Sequence, residues 1–190
     1  MWWAWTEEGL AIIHAISSAA AKIPEATTSE GFLVGLLGRG IAGSRTPLMH
    51  EREGAALGLR YHYELLDADS EPRAEIDVGE LLKAAKLCGF AGLNITYPFK
   101  QTVIPFLDEL SDNAERIGAV NTVLLGGGPR GFNTDHTGFL RAWRGRFGNH
   151  KPGKAAIIGT GGVGRAIAFA LLALGAAEIR LFDIDGDRAR

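Results

Sequence analysis

Residues 154–164 read KAAIIGTGGVG, an apolar strand that runs directly into a glycine-rich turn. The alanine-rich segment at 165–174 predicts a helix after the turn, and residues 178–182 (EIRLF) predict a second strand. Asp183 closes this second strand. A strand, a G-x-G-x-x-G turn and a helix in this order are typical of the first unit of a doubly wound sheet that binds a dinucleotide.

The glycines of the turn have separate predicted roles. Gly159 allows the tight turn, Gly161 lets the backbone approach a pyrophosphate, and Gly164 packs the helix onto the strand. The N-terminus of the helix is expected to hold the phosphates. The whole turn is therefore a candidate cofactor site, with Gly162 and Val163 included.

Asp183 bears on the choice of dinucleotide. A carboxylate at the end of the second strand accepts hydrogen bonds from a ribose diol and repels a 2′-phosphate, which favours NAD over NADP. Arg188 complicates this preference because an arginine can bind the phosphate. Both residues are candidate cofactor-binding residues, and the predicted cofactor is NAD, with NADP less favoured.

A candidate catalytic lysine lies at another strand-to-helix connection. The apolar run at 90–95 is typical of a buried strand, and Thr96 and Pro98 predict a helix start with Thr96 as the N-cap. Lys100 then falls in the first helical turn, where the helix dipole disfavours its positive charge. Lys100 is thus a candidate proton-transfer group, and a surface lysine that points to water is the alternative.

Polar residues also occur at other predicted strand ends. Ser44 and Thr46 follow the first strand, Asn121 is embedded in an apolar run, and Asp135 follows a strand that returns from a glycine-rich hairpin. Ligands of open α/β sheets collect beyond the carboxyl ends of the strands, so a small polar ligand would bind there. Helix capping is the alternative for Thr46 and Asp135, and structural hydrogen bonding is the alternative for Asn121.

Composition narrows the functional class. The 190 residues are 46% hydrophobic with a net charge of -2, which is a globular composition without an electrostatic case for nucleic acid. No apolar run reaches the roughly 18–20 residues of a membrane helix. The single cysteine, Cys88, is interpreted as a small buried residue, and a cytoplasmic location is expected. The five histidines are scattered, so no metal site is predicted.

Taken together, the motifs resemble the shikimate dehydrogenases, and more closely their NAD-using quinate/shikimate branch. They keep one order across residues 32–190: SRTPLMH (44–50), GLNITYPFK (92–100), GAVNT (118–122), NTD (133–135) and GTGGVG (159–164). The resemblance implies reversible oxidation of the C3 hydroxyl of shikimate or quinate by hydride transfer to a nicotinamide dinucleotide. It further implies that Lys100 and Asp135 form the pair that moves the proton.

The resemblance also implies a substrate site. Ser44 and Thr46 would hold the substrate carboxylate, while Thr96 and Asn121 would bind ring hydroxyls. Shikimate dehydrogenases proper often carry serine where this chain has Thr46, and many NADP-using members carry Asn-Arg-Thr where it has Asp-Ile-Asp at 183–185. The first difference favours the quinate/shikimate branch, and the second favours NAD.

The predicted fold is α/β. We expect an N-terminal extension at 1–30, a mixed α/β/α substrate-binding and catalytic domain at 31–150, and the first βαβ unit of a Rossmann domain at 151–190. A complete doubly wound domain has about five or six strands, so the sequence is interpreted as truncated. The alternatives are an inactive substrate-binding module and another lysine-dependent Rossmann enzyme such as a methylenetetrahydrofolate dehydrogenase, against which the SRTP motif argues. A monomer or homodimer is expected.

Overall fold

The structure, a computed structural model, describes residues 31–69 and 76–186. The predicted extension at 1–30 and Arg188 lie outside these residues. The elements follow in the order β1 (Gly31–Gly38), α1 (Thr46–Ala56), β2 (Arg60–Asp67), α2 (Val78–Leu87), β3 (Phe90–Ile95), α3 (Phe99–Thr102), a 3-10 turn (Ile104–Phe106), β4 (Glu109–Leu110), α4 (Asp112–Ile117), β5 (Thr122–Leu124), β6 (Arg130–Phe132), α5 (Thr134–Phe147), β7 (Lys154–Ile158), α6 (Gly162–Ala173) and β8 (Glu178–Phe182).

The larger sheet in this part of the chain has six strands in the order β2-β1-β3-β5-β6-β4. β1 pairs in parallel with β2 and β3, whereas β5 pairs antiparallel with both β3 and β6. β6 therefore runs in the same direction as β1 and β3. As a result, the carboxyl ends of β1, β3 and β6 and the amino end of β5 share one edge of the sheet, which we call the site edge.

Helices cover both faces of this sheet. The face under α2 carries the larger core cluster, whose fully buried members include Leu37, Leu93, Ile95, Val103 and Val123. The opposite face, under α1, buries Val34, Leu36 and Tyr63. On that side a Cβ on Gly54 would lie 2.5 Å from the Cβ of Tyr61, so α1 packs closely on β2 because residue 54 is a glycine.

The second sheet consists of β7 and β8, which pair in parallel from Lys154–Glu178 to Ile158–Phe182. α6 connects the two strands, as the sequence predicts. Ile117 and Ala119 of the first unit pack with Ala166 of α6 in a small buried cluster. The start of α6 therefore lies directly against the first unit.

Three local predictions are wrong. The helix that carries Lys100 is a single turn. Its N-cap is Pro98 and not Thr96, and no side chain caps it. Thr96 accepts a hydrogen bond from this turn through its carbonyl oxygen and not through its side chain. The turn cannot continue because Pro105 lacks an N–H. α6 begins at Gly162 and not at 165. Cys88 is exposed at the end of α2 and is not a buried residue.

Within residues 31–69 and 76–186, no helix combines the length and apolarity that a membrane span requires.

Candidate active site

Lys100 and Asp135 form an ion pair at the site edge. Lys100 follows β3, Asp135 follows β6, and the Lys100 Nζ donates a hydrogen bond to Asp135 Oδ2 at 2.6 Å. The two side chains are 13% and 29% exposed, so the pair is shielded from bulk water but can be reached. Charge-assisted hydrogen bonds of this kind are short and strong. Lys100 therefore does not simply point into solvent.

Asp135 is not the N-cap of α5. Asn133 holds that position: its Oδ1 accepts from the His136 amide at 3.2 Å, and its Nδ2 donates to the Ala119 carbonyl at 2.9 Å. Asn133 is fully buried. Because Asn133 satisfies the helix start, the Asp135 carboxylate is available to Lys100. Asp135 also lies in the first turn of α5, where the positive end of the helix dipole stabilises its negative charge.

Asn121 is a structural hydrogen-bonding residue in this fold. Its Oδ1 accepts from the Thr134 amide at 2.9 Å and from Thr122 Oγ1 at 3.1 Å, while its Nδ2 donates to Thr134 Oγ1 at 2.9 Å. Asn121 thus joins the start of β5 to the start of α5. An amide nitrogen carries two hydrogens, so one remains for a ligand.

Ser44 and Thr46 lie side by side where the loop after β1 meets α1. Their hydroxyl oxygens are 2.8 Å apart, and the Thr46 amide donates to Ser44 Oγ at 3.2 Å. Thr46 is the first residue of α1 and does not cap it, since the N-cap is Arg45 without a side-chain bond. Two half-buried hydroxyls next to a helix N-terminus can receive a carboxylate.

A residue that the sequence analysis missed, Asp67, holds this loop in place. At the end of β2 its carboxylate accepts hydrogen bonds from the amides of Gly40, Ile41 and Ala42 at 2.9–3.0 Å. A fourth amide, from Asp69, donates at 3.0 Å. The Asp69 amide and then the loop amides lower the pKa of Asp67. No sequence signal shows which loop an acid after a strand will bind.

Thr96 and Asn94 project from the same face of β3 because they are two residues apart. The methyl group of Thr96 packs on Gly38, where a Cβ would collide with it. Among the described residues no hydrogen-bond partner of Thr96 Oγ1 is present. Asn94, also missed, accepts from the Tyr63 hydroxyl at 2.7 Å and donates to Thr122 Oγ1 at 3.2 Å. An amide inside an apolar strand was its signal.

The glycine-rich turn has the shape that a dinucleotide requires. Gly159 has φ +94, a conformation that favours glycine, and a Cβ on Gly161 would have no atom within 4 Å. The open space at Gly161 leaves room for a pyrophosphate at the start of α6. A Cβ on Gly164 would collide with the Gly159 carbonyl oxygen, so Gly164 closes the turn. Val163 is half-exposed beside it.

Asp183 connects β8 to this turn. Its Oδ2 accepts from the Thr160 amide at 2.7 Å and from Thr160 Oγ1 at 2.8 Å, and its Oδ1 accepts from the Asp185 amide at 3.0 Å. Thr160 is buried and was not among the predicted site residues. Asp183 therefore stabilises the turn in addition to any contact that it makes with a ribose.

The described residues contain no group of three or more histidine, cysteine or acidic side chains that could hold a metal ion.

Comparison with known proteins identifies the relatives of this architecture. Residues 36–123 match the family described as the shikimate dehydrogenase substrate binding domain. The chain is 46% identical over 162 residues to the shikimate dehydrogenase (NADP(+)) of Pseudarthrobacter chlorophenolicus. The aligned region covers 85% of this chain and 55% of that protein. It is 43% identical over 164 residues to the quinate/shikimate dehydrogenase (NAD(+)) of Corynebacterium glutamicum strain R, with 85% and 58% covered.

A solved structure agrees with these matches. The quinate dehydrogenase from Corynebacterium glutamicum in complex with NAD superimposes with a TM-score of 0.76 at 43% identity, over 84% of this chain and 57% of that one. The relatives use either NAD or NADP by their names. The chain spans little more than half the length of the relatives that it matches.

Proposed function

We propose that this protein is a shikimate or quinate dehydrogenase, since residues 36–123 match the shikimate dehydrogenase substrate binding domain. It reversibly oxidises the C3 hydroxyl of shikimate or quinate to 3-dehydroshikimate or 3-dehydroquinate. The observation that carries the proposal is the Lys100–Asp135 pair, 2.6 Å apart and largely shielded, at the edge of the sheet that faces the glycine-rich turn.

Proton transfer is the part of the reaction that this chain's own side chains perform. The nicotinamide cofactor supplies hydride transfer when it is bound. In the oxidation direction the Lys100 amine, after its ammonium has released a proton to solvent, accepts the proton of the substrate hydroxyl, and the ion pair with Asp135 forms again. In the reduction direction the ammonium donates that proton to the carbonyl oxygen. Asp135 also fixes the direction of Nζ through the 2.6 Å bond.

In this proposal four side chains hold the substrate. The hydroxyls of Ser44 and Thr46 bind the carboxylate, since they lie 2.8 Å apart beside the N-terminus of α1. Thr96 Oγ1 and the remaining amide hydrogen of Asn121 bind ring hydroxyls at the same edge. The amide of Asn94, on the same face as Thr96, lies beside them.

The cofactor is NAD in this proposal. Gly159, Gly161, Gly162, Val163 and Gly164 form the pyrophosphate site, and the open space at Gly161 fits that group.

Asp183 supports NAD because its carboxylate repels a 2′-phosphate. Arg188 is the residue that would favour NADP instead. The proposed organisation is an extension at 1–30, a catalytic domain at 31–150 and a nucleotide-binding unit from 151, in a cytoplasmic monomer or homodimer.

A second candidate, a substrate-binding module without activity, is favoured by one observation. The nucleotide-binding unit has apolar side chains on its surface, with Ile158 90% and Phe182 52% accessible. A large exposed apolar surface is normally covered by further structure. Such a module would bind shikimate without oxidising it.

One experiment separates the two candidates. The chain is assayed for NAD and NADP reduction with shikimate and with quinate, and binding of both acids is measured by calorimetry. Turnover with either acid supports the dehydrogenase. Heat of binding without turnover supports the module, and neither binding nor turnover rejects both.

A further inference from the structure

The backbone conformation of Gly162 does not explain why this residue lacks a side chain. It is the first residue of α6, and it is absent from the glycines with positive φ, which include Gly159. Its conformation therefore admits any amino acid. The absence of a side chain must have another cause.

The neighbours of Gly162 supply that cause. A Cβ built on Gly162 would lie 3.0 Å from Lys100 Cδ, 3.4 Å from Lys100 Cβ and 3.5 Å from the Cβ of Ala119. Carbon atoms in ordinary contact are about 3.5–4.0 Å apart. The aliphatic stem of Lys100 thus lies on the bare Cα of Gly162, in space that any side chain would take.

Hydrogen bonds hold both the backbone of Lys100 and the Nζ at the end of its side chain. Its carbonyl oxygen accepts from the Val120 amide at 2.7 Å, and its Nζ donates to Asp135 at 2.6 Å. α3, which carries it, is also anchored, because Phe99 is buried in the core. A methyl group at position 162 would therefore displace the stem while the backbone stays in place, and Nζ would move.

We propose that Gly162 is a positioning residue for Lys100. The start of α6, which holds the phosphates in the proposed function, presents a bare backbone to the lysine stem and sets where Nζ lies. One contact thereby fixes the proton-accepting group relative to the helix that places the hydride acceptor. The catalytic consequence rests on the proposed function, whereas the contact itself does not.

Gly145 offers a matched control. It lies within α5, and a Cβ added there would have no atom within 4 Å. Gly162→Ala and Gly145→Ala make the same chemical change in a helix, and an alanine is favoured over glycine in a helix by about 1 kcal/mol. Only the first variant places the methyl group against Lys100.

The test combines lysine NMR with kinetics. Lysine labelled with 13C at Cε reports Lys100, whose signal is assigned as the one lost in Lys100→Arg. We expect Gly162→Ala to shift this signal and to lower kcat about 10- to 100-fold, with KM for shikimate changed less than about threefold, because small misplacements of a reacting group act on the chemical step. Gly145→Ala should change neither.

A measurement on the unsubstituted protein covers the case in which Gly162→Ala fails to fold. The α protons of Gly162 should show a nuclear Overhauser effect to the side-chain protons of Lys100, and its absence overturns the proposal. An unchanged Lys100 signal in a folded Gly162→Ala protein also overturns it. A shifted signal in a protein whose unsubstituted form has no turnover supports the contact and rejects the proposed function.

Discussion

The hydroxyl of Tyr63 on β2 donates a 2.7 Å hydrogen bond to Asn94 Oδ1 on β3, across the intervening strand β1. Asn94 in turn donates to Thr122, and Thr122 donates to Asn121 at the site edge. Burial raises the pKa of Tyr63, so its hydroxyl stays a donor throughout the working range of pH. One row of hydrogen bonds therefore runs from β2 to Asn121 at the site edge.

Tyr63→Phe should weaken both stability and substrate binding. The substitution leaves Asn94 Oδ1 without its donor, which costs about 1–3 kcal/mol of the free energy of unfolding, and the freed amide turns away from the substrate. Urea unfolding and KM for shikimate measure the two effects. Tyr61→Phe is the control. The Tyr61 hydroxyl lies 3.4 Å from His50 Nδ1, a long and weak contact that is not part of the row. Equal losses in the two variants would contradict the row of hydrogen bonds.

Lys100→Met and Asp135→Asn should each lower kcat by at least about 100-fold, because a positioned proton-transfer group contributes about that much or more. Shikimate binding, followed by calorimetry, should be weakened far less. Lys83→Met is the matched control, since Lys83 forms an exposed ion pair with Glu80 at 2.7 Å on α2. If Lys100→Met kept the activity of Lys83→Met, proton transfer by Lys100 would be excluded.

His50 should make the protein less stable in mild acid. Burial lowers the pKa of His50 from 6.5 to about 4, so the folded state keeps this ring neutral where the unfolded chain binds a proton. Stability is unaffected above the unfolded value, falls as the pH drops from about 6.5 to about 4, and loses up to about 3 kcal/mol in total.

Urea unfolding across that range, on the unsubstituted protein and on His50→Gln, measures the difference. The variant should have a flatter profile. Parallel profiles would show that His50 does not titrate in this way.

Asp67→Asn should raise KM for the substrate by about tenfold with a smaller change in kcat, because the loop before Ser44 loses its acceptor and the two hydroxyls lose their position. Asp69→Asn is the control, since that side chain forms only a surface ion pair with Arg39 at 3.2 Å. The lowered pKa of Asp67 gives the sign with pH: its stabilisation is complete above 3.8 and is lost as the pH falls through the lowered value. Matching KM values for the two variants would argue against the anchor.

Asp183→Asn should move cofactor preference towards NADP, because the amide no longer repels a 2′-phosphate. We expect the ratio of kcat/KM for NAD to that for NADP to fall by about tenfold or more. Thr160→Val removes the hydroxyl that binds Asp183 at 2.8 Å and serves as the control. It should weaken both cofactors alike. A ratio that changes equally in both variants would mean that Asp183 acts only through the turn.

The sequence predicts some elements with the bounds that the structure has. β3 and β7 are mostly apolar, β8 begins by alternating polar and apolar residues, and a polar residue or a glycine closes each of them, so their limits follow from the sequence pattern. Their pairing is less accessible. β5 lies antiparallel between β3 and β6, which depends on contacts between distant residues, and the two residues of β4 are too few for any periodicity.

The candidate site divides in the same manner. Strand-end position singles out Ser44, Thr46 and Lys100, because that rule needs only the order of the elements. Asp67 and Thr160 are missed because each binds other protein groups, and the identity of those groups is a property of the folded chain. Sequence alone does not show which of Asn133 and Asp135 caps α5, because both side chains can accept hydrogen bonds near the same helix start.

The hydrogen bonds from the loop amides to Asp67 have a consequence for how this site can evolve. The amides of residues 40–42 are committed to the protein's own carboxylate, whereas the hydroxyls of Ser44 and Thr46 bond to each other and not to Asp67. The conformation of the loop and the chemistry that it offers are therefore encoded by different atoms. If Ser44 and Thr46 hold the substrate carboxylate as proposed, substitutions at 44 and 46 can change which acid is accepted while the loop keeps its shape.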